Sequence, residues 1–170
     1  MSSPFPDLLD PWRAVDKCLV YDGCLPLSNM SRLRGLLLDA TGDVTFRLAF
    51  RRDEGRRAIL HCETATTLKL RCQRCLEGLD HRIVTGTSLA LVSCDAEERL
   101  LPESYDPLLV SGEPIRLADL VEDELLLALP QIPMHEPDVC GAVVGWQGAS
   151  QGPVDSDRPF AVLAGLGRER

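Results

Sequence analysis

An α+β domain, an antiparallel β meander with two main helices and the makings of a zinc staple, is predicted by three features of this chain. From Val44 apolar residues fall on alternate positions, as in strands with one wet face. Two segments, near 29–40 and 116–129, carry apolar residues at helical spacing. Cys72-Gln73-Arg74-Cys75 is answered far downstream by His135 and Cys140, a three-cysteine, one-histidine set of the kind that forms a tetrahedral zinc shell.

Taken in order, residues 1–27 carry Pro4, Pro6, Pro11 and Pro26 and predict an extended arm laid on the domain. Ser28 reads as the N-cap of a helix over about 29–40, with Met30, Leu33, Leu36 and Leu37 on one stripe and Gly42 closing it. Val44, Phe46, Leu48 and Phe50 form the inner face of a first strand, and Asp53-Glu54-Gly55 turns it back into a second over about 57–63. Leu68, Leu70 and Cys72 belong to a third strand that delivers the cysteine pair, and a fourth runs from Ile83 to Val92. Residues 93–115, with Pro102, Pro107 and Pro114, read as a polar loop. The second helix spans Arg116 to Leu129 and is stopped by Pro130. Its wheel puts Leu117, Leu120, Val121, Leu125 and Ala128 on one arc and Asp119, Glu122 and Asp123 opposite. Glu124 falls among the apolar residues, where a carboxylate wants a partner, and Arg74 is the motif candidate for an ion pair.

One domain is expected over 1–140, followed by a tether at 141–158 rich in Gly, Ser, Gln and Asp and an apolar tail at 159–170. Phe160, Val162 and Leu163 in that tail are candidate partner-binding residues. The 170 residues, 45% hydrophobic, suffice for a real core. Seven cysteines and an N-terminus without a basic start or apolar run point to a reducing, cytoplasmic setting, and no stretch is apolar enough to span a membrane.

The net charge of −8 is uneven: residues 1–85 hold 13 Lys+Arg against 11 Asp+Glu, and residues 86–170 hold 5 against 15. Arg47, Arg51, Arg52, Arg56 and Arg57 make a local RNA footprint conceivable, since guanidinium groups suit bidentate phosphate contact; any one of them serves equally as a solvated strand face or turn tip. The pI near 4.9 argues against a protein that grips RNA by bulk charge. A basic ribosomal or assembly protein is the competing partner for the acidic half.

The same cysteines serve as well as a reduced thiol pair at a strand end, and spacing alone does not choose. A redox enzyme is the alternative function, yet its C-x-x-C opens a helix, whereas here Leu76-Glu77-Gly78 makes a turn. Zinc deaminases need a His-x-Glu before the cysteines, which is missing, as are nucleotide loops and a GxSxG; no enzyme and no small-molecule substrate are expected.

The strings RCQRCLE at 71–77, LPESYDPL at 101–108, DLVEDELLLALPQIPMHEPDVC at 119–140 and PFAVLAGL at 159–166, with the Asp-Pro near the start, resemble the YceD family. The resemblance implies a cytosolic, non-enzymatic factor for accumulation, processing or stability of large-subunit ribosomal RNA. It carries motif positions onto Cys72, Arg74, Cys75, Glu122, Asp123, Glu124, His135 and Cys140. The Gly-rich tether and Gly165 are small departures from the pattern.

Overall fold

The computed structural model describes residues 5–136 and 139–140. Their order is β1 (Leu8–Leu9), α1 (Pro11–Asp16), β2 (Val20–Pro26), a 3-10 turn (Leu27–Asn29), α2 (Ser31–Arg34), β3 (Asp43–Arg52), β4 (Ala58–Arg71), β5 (Gly78–Val92), α3 (Asp95–Glu98), β6 (Asp106–Leu109), β7 (Ile115–Arg116) and α4 (Leu117–Ala128). The mixed α+β architecture is as expected. Five strands form one sheet in the order β2-β3-β4-β5-β6, and β1 pairs with β7 in a small ribbon.

Val44, Phe46, Leu48 and Phe50 are all buried, so the period-two pattern sets the register of β3. Its inner face, with Leu60, Cys62 and Leu68 of β4, receives Ala14 and Val15 of α1 and Leu117, Leu120, Val121 and Leu125 of α4. Each fully buried Leu or Phe contributes about 2–3 kcal/mol over its exposed state. The other face of the sheet turns Thr45, Arg47, Glu63 and Lys69 to solvent. Among the described residues no helix is long and apolar enough to cross a membrane.

Four expectations change. Of the arm expected over 1–27, the described residues 5–27 are not extended throughout, because Asp10 caps α1 by accepting the Arg13 N–H at 3.1 Å with Pro11 at its first turn, and β2 then joins the sheet antiparallel to β3. Gly23 in β2 is required by close approach: a Cβ there would sit 2.7 Å from the Phe5 ring, which packs edge-on against Phe46 at 4.9 Å. Second, the helix expected over 29–40 is the single turn α2; Ser28 lies in the 3-10 turn, and the chain leaves at Gly35 to bond Leu38 N–H to the Lys69 carbonyl at 2.8 Å. Third, strands 57–63 and 68–72 are one strand, β4. The threonine run joining them has its hydroxyls satisfied, Thr64 with Thr85 at 2.8 Å and Thr66 to the Asp43 carbonyl at 3.0 Å. Fourth, β5 starts at Gly78, five residues before Ile83, and the loop 93–115 contains α3, β6 and β7, with β6 adding parallel to β5 from Leu89↔Asp106 to Val92↔Leu109. The tether and the tail residues Phe160, Val162 and Leu163 lie outside the described residues.

The helix wheel is corrected at one position with large consequences. Glu122, assigned above to the wet face, is buried, and its Oε1 accepts the N–H groups of Arg32 at 2.7 Å and Leu33 at 2.9 Å. A single turn of helix has no internal acceptors for its first amides, so α4 supplies one from outside. The Arg32 guanidinium closes over the carboxylate at 3.1 Å and also binds Asp123. Burial pushes the Glu122 carboxyl up, but the Leu33 and Arg32 N–H bonds and the Arg32 charge outweigh it and hold it below the ordinary glutamate value.

Glu122→Ala should therefore lower stability by about 2–4 kcal/mol in urea unfolding, because two amides are stranded, while Asp123→Ala, in an exposed pair, should cost under about 1 kcal/mol. A carboxyl whose pKa falls on folding stabilises above its unfolded pKa. The gap between wild type and Glu122→Gln should thus be full at neutral pH and shrink as pH drops below about 4.3 through the lower folded value.

Candidate metal centre

The turn between β4 and β5 is tight because Cys72 N–H bonds the Glu77 carbonyl at 2.9 Å and Leu76 N–H bonds the Cys72 carbonyl at 2.9 Å. Leu76 takes a left-handed φ of 66°, which turns the chain back on itself. A second segment crosses this turn. Pro130 and Pro133 forbid continuation of α4, and the Pro133 carbonyl accepts the Gln73 N–H at 2.8 Å, setting His135 beside the cysteines. The Cys140 N–H then bonds the Glu136 carbonyl at 3.2 Å, returning its thiol to the same point.

The ligand atoms of Cys72, Cys75, His135 and Cys140 all lie within 4.8 Å of one another. Cys72 Sγ is 3.8 Å from Cys140 Sγ, and Cys75 Sγ is 3.4 Å from His135 Nδ1. A tetrahedron with metal–sulfur bonds of about 2.3 Å and metal–nitrogen bonds of about 2.0 Å has sulfur–sulfur edges of about 3.8 Å and sulfur–nitrogen edges of about 3.5 Å. The four residues could hold a metal ion with little rearrangement. The far side of the imidazole fits too: His135 Nε2 lies 3.0 Å from the Gly78 carbonyl, so a proton there leaves Nδ1 as the free donor.

Electrostatics favour the ionised form at Cys72 and oppose it at Cys75. The Cys75 N–H, aided by those of His135 and Arg74 against burial, brings the Cys72 thiol down to about 5. Cys75 accepts the Glu77 N–H, which lowers it, yet burial and the neighbouring Cys140 and Cys72 sulfurs push it up. Three sulfurs this close cannot all ionise without a cation among them. The Cys140 and Cys72 sulfurs raise His135, and the Arg74 guanidinium is likewise raised by Cys140. Arg74 also donates to the His135 and Glu136 carbonyls at 3.1 and 3.3 Å, so it ties the later segment to the turn.

The proposed Arg74–Glu124 ion pair is not formed. Glu124 is buried as its wheel position implies, but it accepts the Thr87 hydroxyl at 2.6 Å, opposite Cys62 at the middle of the sheet. Ten residues of strand separate Cys62 from Cys72, roughly 30 Å. Burial, with Glu124 and Glu63, pushes the Cys62 thiol up to about 12, leaving it inert.

Arg51, Arg52, Arg56 and Arg57 occupy the opposite end of β4, about 45 Å from the clip along the strand, and Arg47 lies partway between. Arg52 pairs with Asp16 at 2.7 Å; Arg57 pairs with Asp53 at 2.7 Å and lies over the Tyr105 ring at 5.6 Å. Arg47 is on the outer sheet face opposite Glu63, and Arg51 and Arg56 are exposed at the strand end and turn. The structure does not gather the five into one site. A shallow concavity of about 500 Å³ lies on the outer face between Arg47 and Val84, away from the cysteines. Sequence reasoning missed Glu122 and the Gly78 carbonyl, the latter because backbone acceptors leave no sequence signal.

A family model described as Large ribosomal RNA subunit accumulation protein YceD matches residues 60–167. The chain belongs to the YceD family. A Haemophilus influenzae protein named Large ribosomal RNA subunit accumulation protein YceD is 30% identical over 166 residues, covering 95% of each chain. No solved structure matches. All four clip residues fall inside the YceD-matched span, whereas Arg47, Arg51, Arg52, Arg56 and Arg57 precede it.

Arg74→Ala should weaken metal binding about 10–100-fold without altering the ligand set, as loss of an orienting outer partner does. Competition titration with a metallochromic chelator, alongside the cobalt(II) spectrum as a check on the shell, measures it.

Proposed function

We propose that this chain is a non-enzymatic cytoplasmic factor that supports the synthesis, processing or stability of large-subunit ribosomal RNA, with its sheet and post-helix segment clipped by structural Zn2+. The kinship supports the first part: a relative alike over 95% of both chains bears the name of a ribosomal RNA accumulation protein. The donor set supports the second, since three thiolates and an imidazole at tetrahedral spacing match structural zinc, and a closed four-ligand shell leaves no position for substrate. A thiol–disulfide enzyme fits less well. Cys72, with the lowered thiol, is buried, and its C-x-x-C does not open a helix.

For partners, Arg47, Arg51 and Arg56 are the cations of the original group with no ion pair among the described residues, and they are the ones through which RNA would be met. A basic ribosomal or assembly protein is the other candidate, favoured by the net charge of −8. The apolar tail with Phe160, Val162 and Leu163 is a further partner element of this reading.

Protein purified without a chelating tag should carry about one zinc per chain by elemental analysis, and His135→Ala or Cys140→Ser should lose it with a fall in melting temperature. Zinc-free protein whose melting is indifferent to chelators would overturn the clip. For the function, deleting the gene in its host should lower the ratio of large- to small-subunit ribosomal RNA, and the wild-type chain should restore it; an unchanged ratio rejects the reading.

A further inference from the structure

Leu38, Leu76, Ile132, Met134 and Val139 expose between 41% and 67% of their surface, and three of them adjoin a clip ligand in sequence: Leu76 follows Cys75, Met134 precedes His135 and Val139 precedes Cys140. Their segments are held together. Leu38 N–H bonds Lys69, the Leu38 side chain lies 3.6 Å from the Cβ position of Gly78, and Gly78 accepts from His135. Apolar side chains exposed together at one end of a sheet mark an interaction surface. Leu76 adds an independent sign. It holds a left-handed φ of 66° that glycine adopts freely, so a large exposed side chain is kept there against backbone strain.

We propose that this apolar surface around the clip docks a basic amphipathic segment of a ribosomal protein, an inference that rests on the assembly-factor reading above. The charges choose between protein and RNA. Around the patch the Arg74 guanidinium faces the Cys140 and Cys72 sulfurs, so its charge is turned to the clip, and Lys69 lies between Asp80 across the ladder and Asp39 on its other side. That leaves Arg71 against Glu77 and Glu136, both exposed and outside any ion pair among the described residues. Phosphate backbones need an excess of cations, which this rim lacks, whereas an apolar centre with an acidic border complements leucine-and-lysine surfaces.

The full chain, immobilised with its metal, is offered two probes separately: proteins extracted from purified large ribosomal subunits, and deproteinised large-subunit RNA. Retention of an identified basic ribosomal protein is expected. It should fall at least tenfold with Leu76→Gly and with Leu76→Ser/Met134→Ser, and be unchanged by Leu100→Ser, which lies beside Ala58 and Val92 at the opposite end of the sheet. Leu76→Gly should melt at or above the wild-type temperature, which separates lost docking from lost folding. The proposal is overturned if Leu76→Gly retains the protein normally, if RNA alone is retained through these residues, or if they instead mediate self-association. Host RNA ratios keep the two readings apart. If Leu76→Ser/Met134→Ser restores the ratio as well as wild type, the docking site fails and the assembly reading stands; if wild type retains the protein but leaves the ratio unchanged, the reverse holds.

Discussion

The β4–β5 ladder is the frame on which every other element is placed. It runs in unbroken antiparallel register from Arg71↔Gly78 to Ile59↔Ala90, and each pairing fixes which side chains face α4 and which face water. Because the register closes at Gly78, the cysteine turn can be only six residues long, and its carbonyls and amides point at the segment that crosses it. Because the same ladder puts Thr87 opposite Cys62, Glu124 finds a hydroxyl at mid-sheet. A slip by one residue would turn Leu68, Leu70 and the Cys72 thiol to the wrong face and dismantle core and clip together.

The parts legible in the sequence are those with a local period or a chemical signature. Alternation at Val44–Phe50 located β3, helical spacing located α4 to within a residue at each end, and the mixed cysteine–histidine pattern located four groups that the fold brings within 4.8 Å. The parts that failed depend on partners distant in sequence. Met30 and Leu33 are buried as a helical stripe would have them, but Leu36 is exposed, because the chain there is recruited by the Lys69 carbonyl. The wheel placed Glu122 on the wet face because a wheel knows only its own helix; the amides of Arg32 and Leu33, ninety residues earlier, convert that position into a buried acceptor. The Asp-Pro at 10–11 was a readable helix start. Counting four prolines as breakers hid it.

Glu122 and the clip both tie α4 to distant segments, one from mid-helix and one beyond its C-terminus. At its N-terminal half the carboxylate binds α2 to the helix; beyond its C-terminus Pro130 and Pro133 release the chain and His135 and Cys140 return it to the sheet. Without a cation the clip is a costly place, since three sulfurs repel and Arg74, His135 and the turn amides offset them only in part. A divalent ion held there would change the sign of that balance, and closing a loop of about sixty residues between Cys75 and His135 would constrain the unfolded chain as well.

Spatial separation along β4 bears on what the clip can do. The Arg52–Asp16 and Arg57–Asp53 pairs answer two of the four arginines at the hairpin end before any partner arrives, and leave Arg51 and Arg56. At the clip end Arg74 and Lys69 are answered too, but among the described residues Glu77, Glu136 and the apolar side chains are not. Water penalises that surface, and no folding gain inside the described domain offsets it. The strained Leu76 sharpens the point: relaxed backbone and lower apolar exposure were both available by placing glycine at one position, and the chain has neither. Surface that is costly to the isolated fold is accounted for by a state in which it is covered, and the residues that form the clip set the shape that such a cover must match.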